Sequence, residues 1–279
     1  MRKRLPAVVT VLVLGGATAL AAQTWRTMTS ARQLGDERQL AVKVEYGAGR
    51  LRLEPATGDL LYRMELRYDE RTMQPVTDYD RRAGSLHLGI RGTQRGSQRG
   101  MGEGRATIGL APTVPTRLEL AFGAGEADLR LGGMALETVN ISTGASETRV
   151  SFDRPNRINA RSVRLEAGAA EMTVTGLGNA RAEQIEYEGG VGETTLDFSG
   201  AWNRSARVNV KVGIGAVTLR LPRGIGVRLR KESFLSSFDT QGFTRRGDYW
   251  YTANYDRAPI RLDLSVDAAI GSVDVDWIG

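Results

Sequence analysis

The chain has 279 residues, 41% apolar and 25% charged, a composition ordinary for a folded protein and unlike a disordered tail or a multi-span membrane protein. It has no cysteine and a single histidine, His87, which excludes disulfides, thiolate or His-rich metal sites, a cysteine nucleophile and any mechanism needing two imidazoles. Three of the six net positive charges sit on Arg2, Lys3 and Arg4, so the rest is only mildly basic, which does not point to nucleic acid.

Residues 1–22, MRKRLPAVVTVLVLGGATALAA, join a positive start to an apolar run and a small-x-small site at Ala19-Leu20-Ala21. That is the pattern of a secretory signal peptide cleaved after Ala21 or Ala22. The alternative is an uncleaved anchor, because the apolar stretch approaches the ~18–20 residues that span a bilayer. The expected location is therefore the periplasm or cell surface, or the outer side of the cytoplasmic membrane. Residues 23–39 read as a short linker, with 25–38 (WRTMTSARQLGDER) as a short helix or loop.

A repeat occupies most of the remainder. VKVEYGAGRLRL (42–53), LELAFGAGEADLRL (118–131), VNISTGASETRVSF (139–152), VRLEAGAAEMTVTG (163–176), IEYEGGVGETTLDF (185–198), VNVKVGIGAVTLRL (208–221) and LSVDAAIGSVDVDW (264–277) align. Each is an alternating segment, a small-x-small kink and a second alternating segment. The kinks at Gly123, Gly144, Gly168, Gly190 and Gly213 are 21, 24, 22 and 23 residues apart. Period-two alternation predicts strands with one buried face, and small residues let the strand turn a corner. One coil cannot bury its own apolar face, so coils must stack. The prediction is an all-β, single-stranded parallel β-helix or β-solenoid over 40–279 with ~22-residue coils, right-handed as parallel crossovers are. Two stretches interrupt it, 54–117 and 222–263, and read as wider coils or hairpin flaps. In the first, LLYRMELRYDE and GSLHLGIRG look like a hairpin pair turning around Pro75. Trp277 suggests a buried last coil. The Gly-x-Gly pairs lack the third glycine and following helix that a dinucleotide site requires.

VKVEYGAGRLRLEPATGDLLYRMELRYDERTMQPVTDYDRRAGSLHLGI, with its G-A-G-x-L strand and the segment Pro75-Val-Thr-Asp-Tyr79, resembles the N-terminal module of the bacterial toast-rack proteins. On this likeness 40–117 is the toast-rack N-terminal module. The remainder, 118–279, with VGIGAVTLRLPRGIGVRLR and IRLDLSVDAAIGSVDV, looks like the C-terminal domain of LiaF-like envelope-stress proteins and related adhesins. The resemblance implies a β-solenoid outside the cytoplasmic membrane, and no catalytic motif or cofactor.

Three features carry candidate chemistry. Glu126, Glu147, Glu171 and Glu193 share one repeat position and should form a column at ~4.8 Å intervals. Such a column binds a cation such as Ca²⁺ or is solvated and relieved by Arg149, Arg164 or Arg181; the lack of any Asp-rich calcium loop favours the second. The segment 91–105, RGTQRGSQRGMGEGR, carries Arg91, Arg95, Arg99 and Arg105, suited to phosphates or an acidic polymer or simply a loop tip. Tyr249, Trp250, Tyr251 and Tyr255 can bind sugars or protein, or cap the solenoid; alternation sends the tyrosines one way and Trp250 the other. His87 reads as an exposed strand residue. The expected function is an exported, non-catalytic envelope module, adhesion-like or associated with envelope stress, whose partner is an envelope protein or surface polymer. The alternative is a polysaccharide-binding or polysaccharide-active protein on a β-helix.

Overall fold

The computed structural model describes residues 24–92, 104–238 and 241–279. Residues 1–22, read above as a signal peptide, and two candidate residues, Arg95 and Arg99, lie outside the described residues. The strands are β1 (Trp25–Gln33), β2 (Leu40–Pro55), β3 (Leu60–Asp69), β4 (Met73–Asp80), β5 (Ser85–Gly92), β6 (Arg105–Leu110), β7 (Thr116–Arg130), β8 (Leu136–Ser151), β9 (Ala160–Ala169), β10 (Glu171–Thr175), β11 (Ala182–Asp197), β12 (Ala206–Pro222), β13 (Gly226–Phe238), β14 (Thr244–Arg246), β15 (Tyr249–Tyr251) and β16 (Arg261–Ile278). Among the described residues the only helical element is a 3-10 turn at Leu177–Ala180.

The repeats form parallel ladders. Leu118 pairs with Val139, Val139 with Val163, Val163 with Ile185, Ile185 with Val208 and Val208 with Leu264. All are buried, and burial of each such side chain stabilises by about 1.5–3 kcal/mol. After the corner the alternation resumes with Ala127 and Leu129, Val217 and Leu219, Val273 and Val275 inside, so one long strand lines two walls. At the corner Gly215 has φ +149°, and a Cβ there would collide with the carbonyl oxygen of Gly192 in the preceding coil. Only glycine lets the backbones approach that closely. The residue between the small ones points outward: Val191, Ile214 and Ile270 are exposed and in register.

Short turns close the coils on a third side, and asparagine amides tie them together. Asn156 is 1% exposed. Its Oδ1 accepts from Leu136 N–H at 2.8 Å. Its Nδ2 donates to Leu136 O at 2.8 Å and Ile158 O at 2.9 Å, with Ala180 O at 3.4 Å. One coil later Asn179 Nδ2 donates to Phe152 O at 2.8 Å. These side chains stand in for the ladder where the chain turns too sharply to pair.

Both ends depart from simple succession. β2 lies between β7 on one side and β5 with β6 on the other. β16 lies between β12 and β13. The last repeat is in register with β12, as expected, but the outermost coil is β13, so Trp277 does not mark a last buried coil; it is half-exposed and donates its indole N–H to Gln241 O at 2.8 Å. Residues 25–33, read as linker, helix or loop, form β1, antiparallel to β3. Its alternation is weak because none of its residues is fully buried, but it covers the edge of β3, with Arg67 4.4 Å from the Trp25 ring. The hairpin in 54–117 is β4 with β5, not β3 with β5. Pro75 lies within β4, tolerated on a strand paired on one side only.

Tyr46 is 2% exposed and stacks on Phe122 with ring centroids 6.2 Å apart. Its hydroxyl has no hydrogen-bond partner among the described residues, and burial holds its pKa above the ordinary phenol value. Tyr46→Phe removes a desolvated polar group at constant shape, so a gain of about 1 kcal/mol, or about 2–4 °C in Tm, is expected by calorimetry. A fall in Tm would show that the hydroxyl has a partner.

Candidate functional site

The aromatic run lies on the outermost coil. β15 pairs antiparallel with β13, Arg228 opposite Tyr251 and Arg230 opposite Tyr249, and β14 places Arg246 opposite Tyr249. Alternation sends Leu229 and Trp250 toward the core and leaves Arg228, Tyr249 and Tyr251 on the outer side, the split the sequence implied. The following turn is fixed by Thr252 Oγ1, which accepts from Val227 N–H at 2.9 Å, and by Asn254 Nδ2, which donates to Ile225 O at 3.1 Å. It brings Tyr255 edge-on to Tyr251 at 5.1 Å.

Arginines interleave with the rings. Arg228 is 5.1 Å from the Tyr249 centroid, Arg246 5.0 Å from Tyr251, Arg261 5.4 Å from Tyr255 and Arg245 5.9 Å from Trp250. Each guanidinium meets the electron-rich face of a ring. Asp263 anchors the group, accepting from Tyr255 Oη at 2.8 Å and pairing with Arg228 at 3.0 Å. Burial, then the Asp263 contact, raises the Tyr255 phenol. Burial opposes the charge on Arg228, yet Asp263 and the neighbouring tyrosines hold its pKa above the usual guanidinium value. Arg246 pairs with Asp256 at 2.8 Å, and its hydrogen bond and charge hold the Asp256 carboxyl below the usual carboxylate range. That pair is intact at neutral pH and breaks only as pH falls through the depressed Asp256 value. Arg228, Arg245, Arg246, Arg257 and Arg261 outnumber Asp248, Asp256 and Asp263, so the face carries net positive charge.

Strand register places the four glutamates side by side. Glu126 pairs with Glu147 and Glu147 with Glu171, and Glu193 immediately precedes the Thr194 that pairs with Met172. Arg50 relieves Glu126 at 3.2 Å and Arg149 relieves Glu147. Arg164 serves Glu186 and Glu166 instead, because its side chain stands on the other wall. Arg181 lies in the closing turn, with Nε buried and unpartnered among the described residues. Among those residues no group of three or more His, Cys, Asp or Glu could hold a metal ion. Side chains projecting from a flat wall run alongside one another and do not converge on a point.

Arg91 is exposed at the end of β5, opposite Gln74, and Arg105 opens β6 between Arg50 and Arg67. The structure therefore does not join these residues to the Tyr249–Tyr251 face. His87 is half-buried, not exposed, and its Nε2 lies 2.8 Å from Glu45 Oε2. It belongs to a polar groove that sequence reasoning missed, since the repeats do not tell that β2 lies between β5 and β7.

Among solved structures the chain is similar to a "putative cell adhesion protein" from Clostridium sporogenes, at 16% identity and TM-score 0.47, covering 91% of this chain and 100% of that one. It is also similar to a "putative adhesin" from Bacteroides fragilis, at 13% identity and TM-score 0.33, covering 90% and 97%. A third, a "putative adhesin" from Parabacteroides merdae, has 11% identity and TM-score 0.35, covering 91% and 97%. No protein of curated function matches. The family model described as the N-terminal domain of toast_rack, DUF2154, matches residues 21–175 and 162–220, so the match runs well beyond residue 117. With most of its length matched and its stacked parallel repeats in register, the chain belongs to the toast-rack N-terminal domain family.

Proposed function

We propose that this chain is an exported, non-catalytic binding module of the bacterial cell envelope, and that its C-terminal arginine–tyrosine face holds an anionic surface polymer. The observation that carries the reading is the interleaving of Arg228, Arg246 and Arg261 with Tyr249, Tyr251 and Tyr255 on a net positive surface. Guanidinium groups pair with phosphate or carboxylate in a planar fork, and tyrosines stack without losing much side-chain entropy. A rigid ladder beneath them presents the groups in fixed order. Export is supported by the charged and apolar pattern of residues 1–22.

The test is binding to polyphosphate, with neutral dextran as the control. The wild-type protein is expected to bind polyphosphate in a salt-dependent manner. The variant Arg245→Ala/Arg246→Ala/Tyr251→Ala is expected to bind about tenfold or more weakly while keeping the circular dichroism of the fold. Unchanged binding by the variant sinks the reading. Absence of polymer binding, with specific crosslinking to one membrane protein in cells, replaces the polymer with an envelope-protein partner.

A further inference from the structure

A second surface lies near the other end of the ladder, on different strands from the arginine–tyrosine face. A groove of about 820 Å³ crosses the outer side of β4, β5, β2, β7 and β8. Register places five polar side chains in one row across it: Asp78, His87, Lys43, Glu119 and Asn140. At ~4.8 Å per strand the row is roughly 19 Å long. Beside it runs a second row, Asp80, Ser85, Ala41, Arg117 and Thr138. Exposed Ala41 stands at its centre, where the short side chain leaves a trough between taller neighbours.

Several of these groups are already committed. Glu45 Oε1 pairs with Lys43 at 2.6 Å and Glu45 Oε2 lies 2.8 Å from His87 Nε2, which fixes both side chains from one flank. Lys43, then burial and His87, sets the Glu45 carboxyl, which ends below its usual range. Arg117 is paired with Glu137 at 3.0 Å, and Asp80 Oδ1 accepts from the backbone N–H groups of Arg82 and Ala83. Asp78, Glu119 and Asn140 have no such partner among the described residues. They are spread over the length of the row, so the groove offers two carboxylates and one amide open to hydrogen bonds, Glu119 also lying in the field of Lys43, with the Ser85 and Thr138 hydroxyls beside them.

We infer that this groove binds a neutral glycan chain lying across the strands. A polyanion would meet the carboxylates of Asp78, Asp80 and Glu119, and a polycation would meet Lys43 and Arg117. A polyhydroxyl chain avoids both conflicts. Its hydroxyls donate to Asp78 and Glu119, and they both donate to and accept from Asn140, Ser85 and Thr138. Lys43 and Arg117 keep their partners Glu45 and Glu137, and neutral hydroxyls can donate to Asp78 and Glu119 without displacing either pair. The site is separate from the face proposed to hold an anionic polymer, and either can fail alone.

The experiment is titration calorimetry of the full chain with three neutral hexasaccharides, the β-1,4-linked oligomers of N-acetylglucosamine, glucose and mannose, and with the matching disaccharides. At least one hexasaccharide is expected to bind with a dissociation constant below about 1 mM. Its disaccharide should bind at least about tenfold more weakly, because it spans a fraction of the row. Ala41→Arg fills the trough and is expected to abolish binding. Asn140→Ala and Glu119→Gln are each expected to weaken it about five- to tenfold, while all three variants keep polyphosphate binding unchanged. All three positions lie on the solvent side of the wall, and melting curves confirm that the fold persists. No binding of any hexasaccharide overturns the inference, as does binding that Ala41→Arg and Asn140→Ala leave intact. Displacement of the hexasaccharide from the groove by polyphosphate overturns it too.

Discussion

Replacing Asn156 by alanine is expected to destabilise the protein by about 3–5 kcal/mol, among the largest losses available from one polar side chain. The amide joins three coils: it accepts from Leu136 N–H and donates to the carbonyls of Leu136, Ile158 and Ala180. Alanine leaves these backbone groups buried and unpaired, each at a cost of about 1–3 kcal/mol. Asn156→Asp separates the two roles, since a carboxylate still accepts from Leu136 N–H but cannot donate. Equilibrium unfolding in urea is the measurement. Alanine should shift the midpoint strongly, and aspartate should fare no better because it also buries a charge. A loss below about 1 kcal/mol for alanine would mean that water replaces the amide at that turn.

Gly215→Val is expected to prevent the native stack from forming. The backbone there has φ +149°, which a β-branched residue rarely adopts, and the new Cβ would overlap Gly192 O. Relief requires the coils to separate along β11 and β12, breaking the paired rows from Val191–Ile214 to Asp197–Arg220. A cost of more than about 4 kcal/mol is expected, with loss of soluble folded protein. The control is the adjacent Ile214→Ala. Its side chain is 50% exposed, so truncation should change stability by no more than about 0.5 kcal/mol. Equal damage from both variants would refute the close-approach argument and make the corner side chain itself the stabilising element.

The repeats were legible because each position recurs in the same environment. The kinks at Gly123, Gly144, Gly190 and Gly213, and the inward residues on either side, follow directly from period two and the ~22-residue spacing. The outward direction of Tyr249 and Tyr251 was legible for the same reason. What the pattern could not carry was neighbour order where the chain leaves the repeat. Nothing local distinguishes β13 as the strand outside β16, or tells that β2 contacts both β5 and β7. The groove was invisible on that account: Asp78 and Asn140 are 62 residues apart in sequence and are joined only by four strand pairings. β1 was missed because no residue of WRTMTSARQ is fully buried, so the segment carries no apolar face to alternate with a polar one. The cationic members of the C-terminal face were missed because Arg228 and Arg261 come from β13 and β16, on either side of the aromatic run.

The position of β16 has a consequence for synthesis. A chain emerges N-terminus first, so β12 and β13 both exist before the strand that must fit between them. Until residues 261–278 arrive, the two have no ladder between them, and each presents a long parallel edge of the kind that invites mispairing. A chain cut short before β16 therefore lacks a seam on both sides at once. It offers proteases and aggregating partners two unfinished surfaces, while the β7–β12 stack can already have closed. β16 works as a keystone: its arrival joins β12 to β13 and closes both of their open edges.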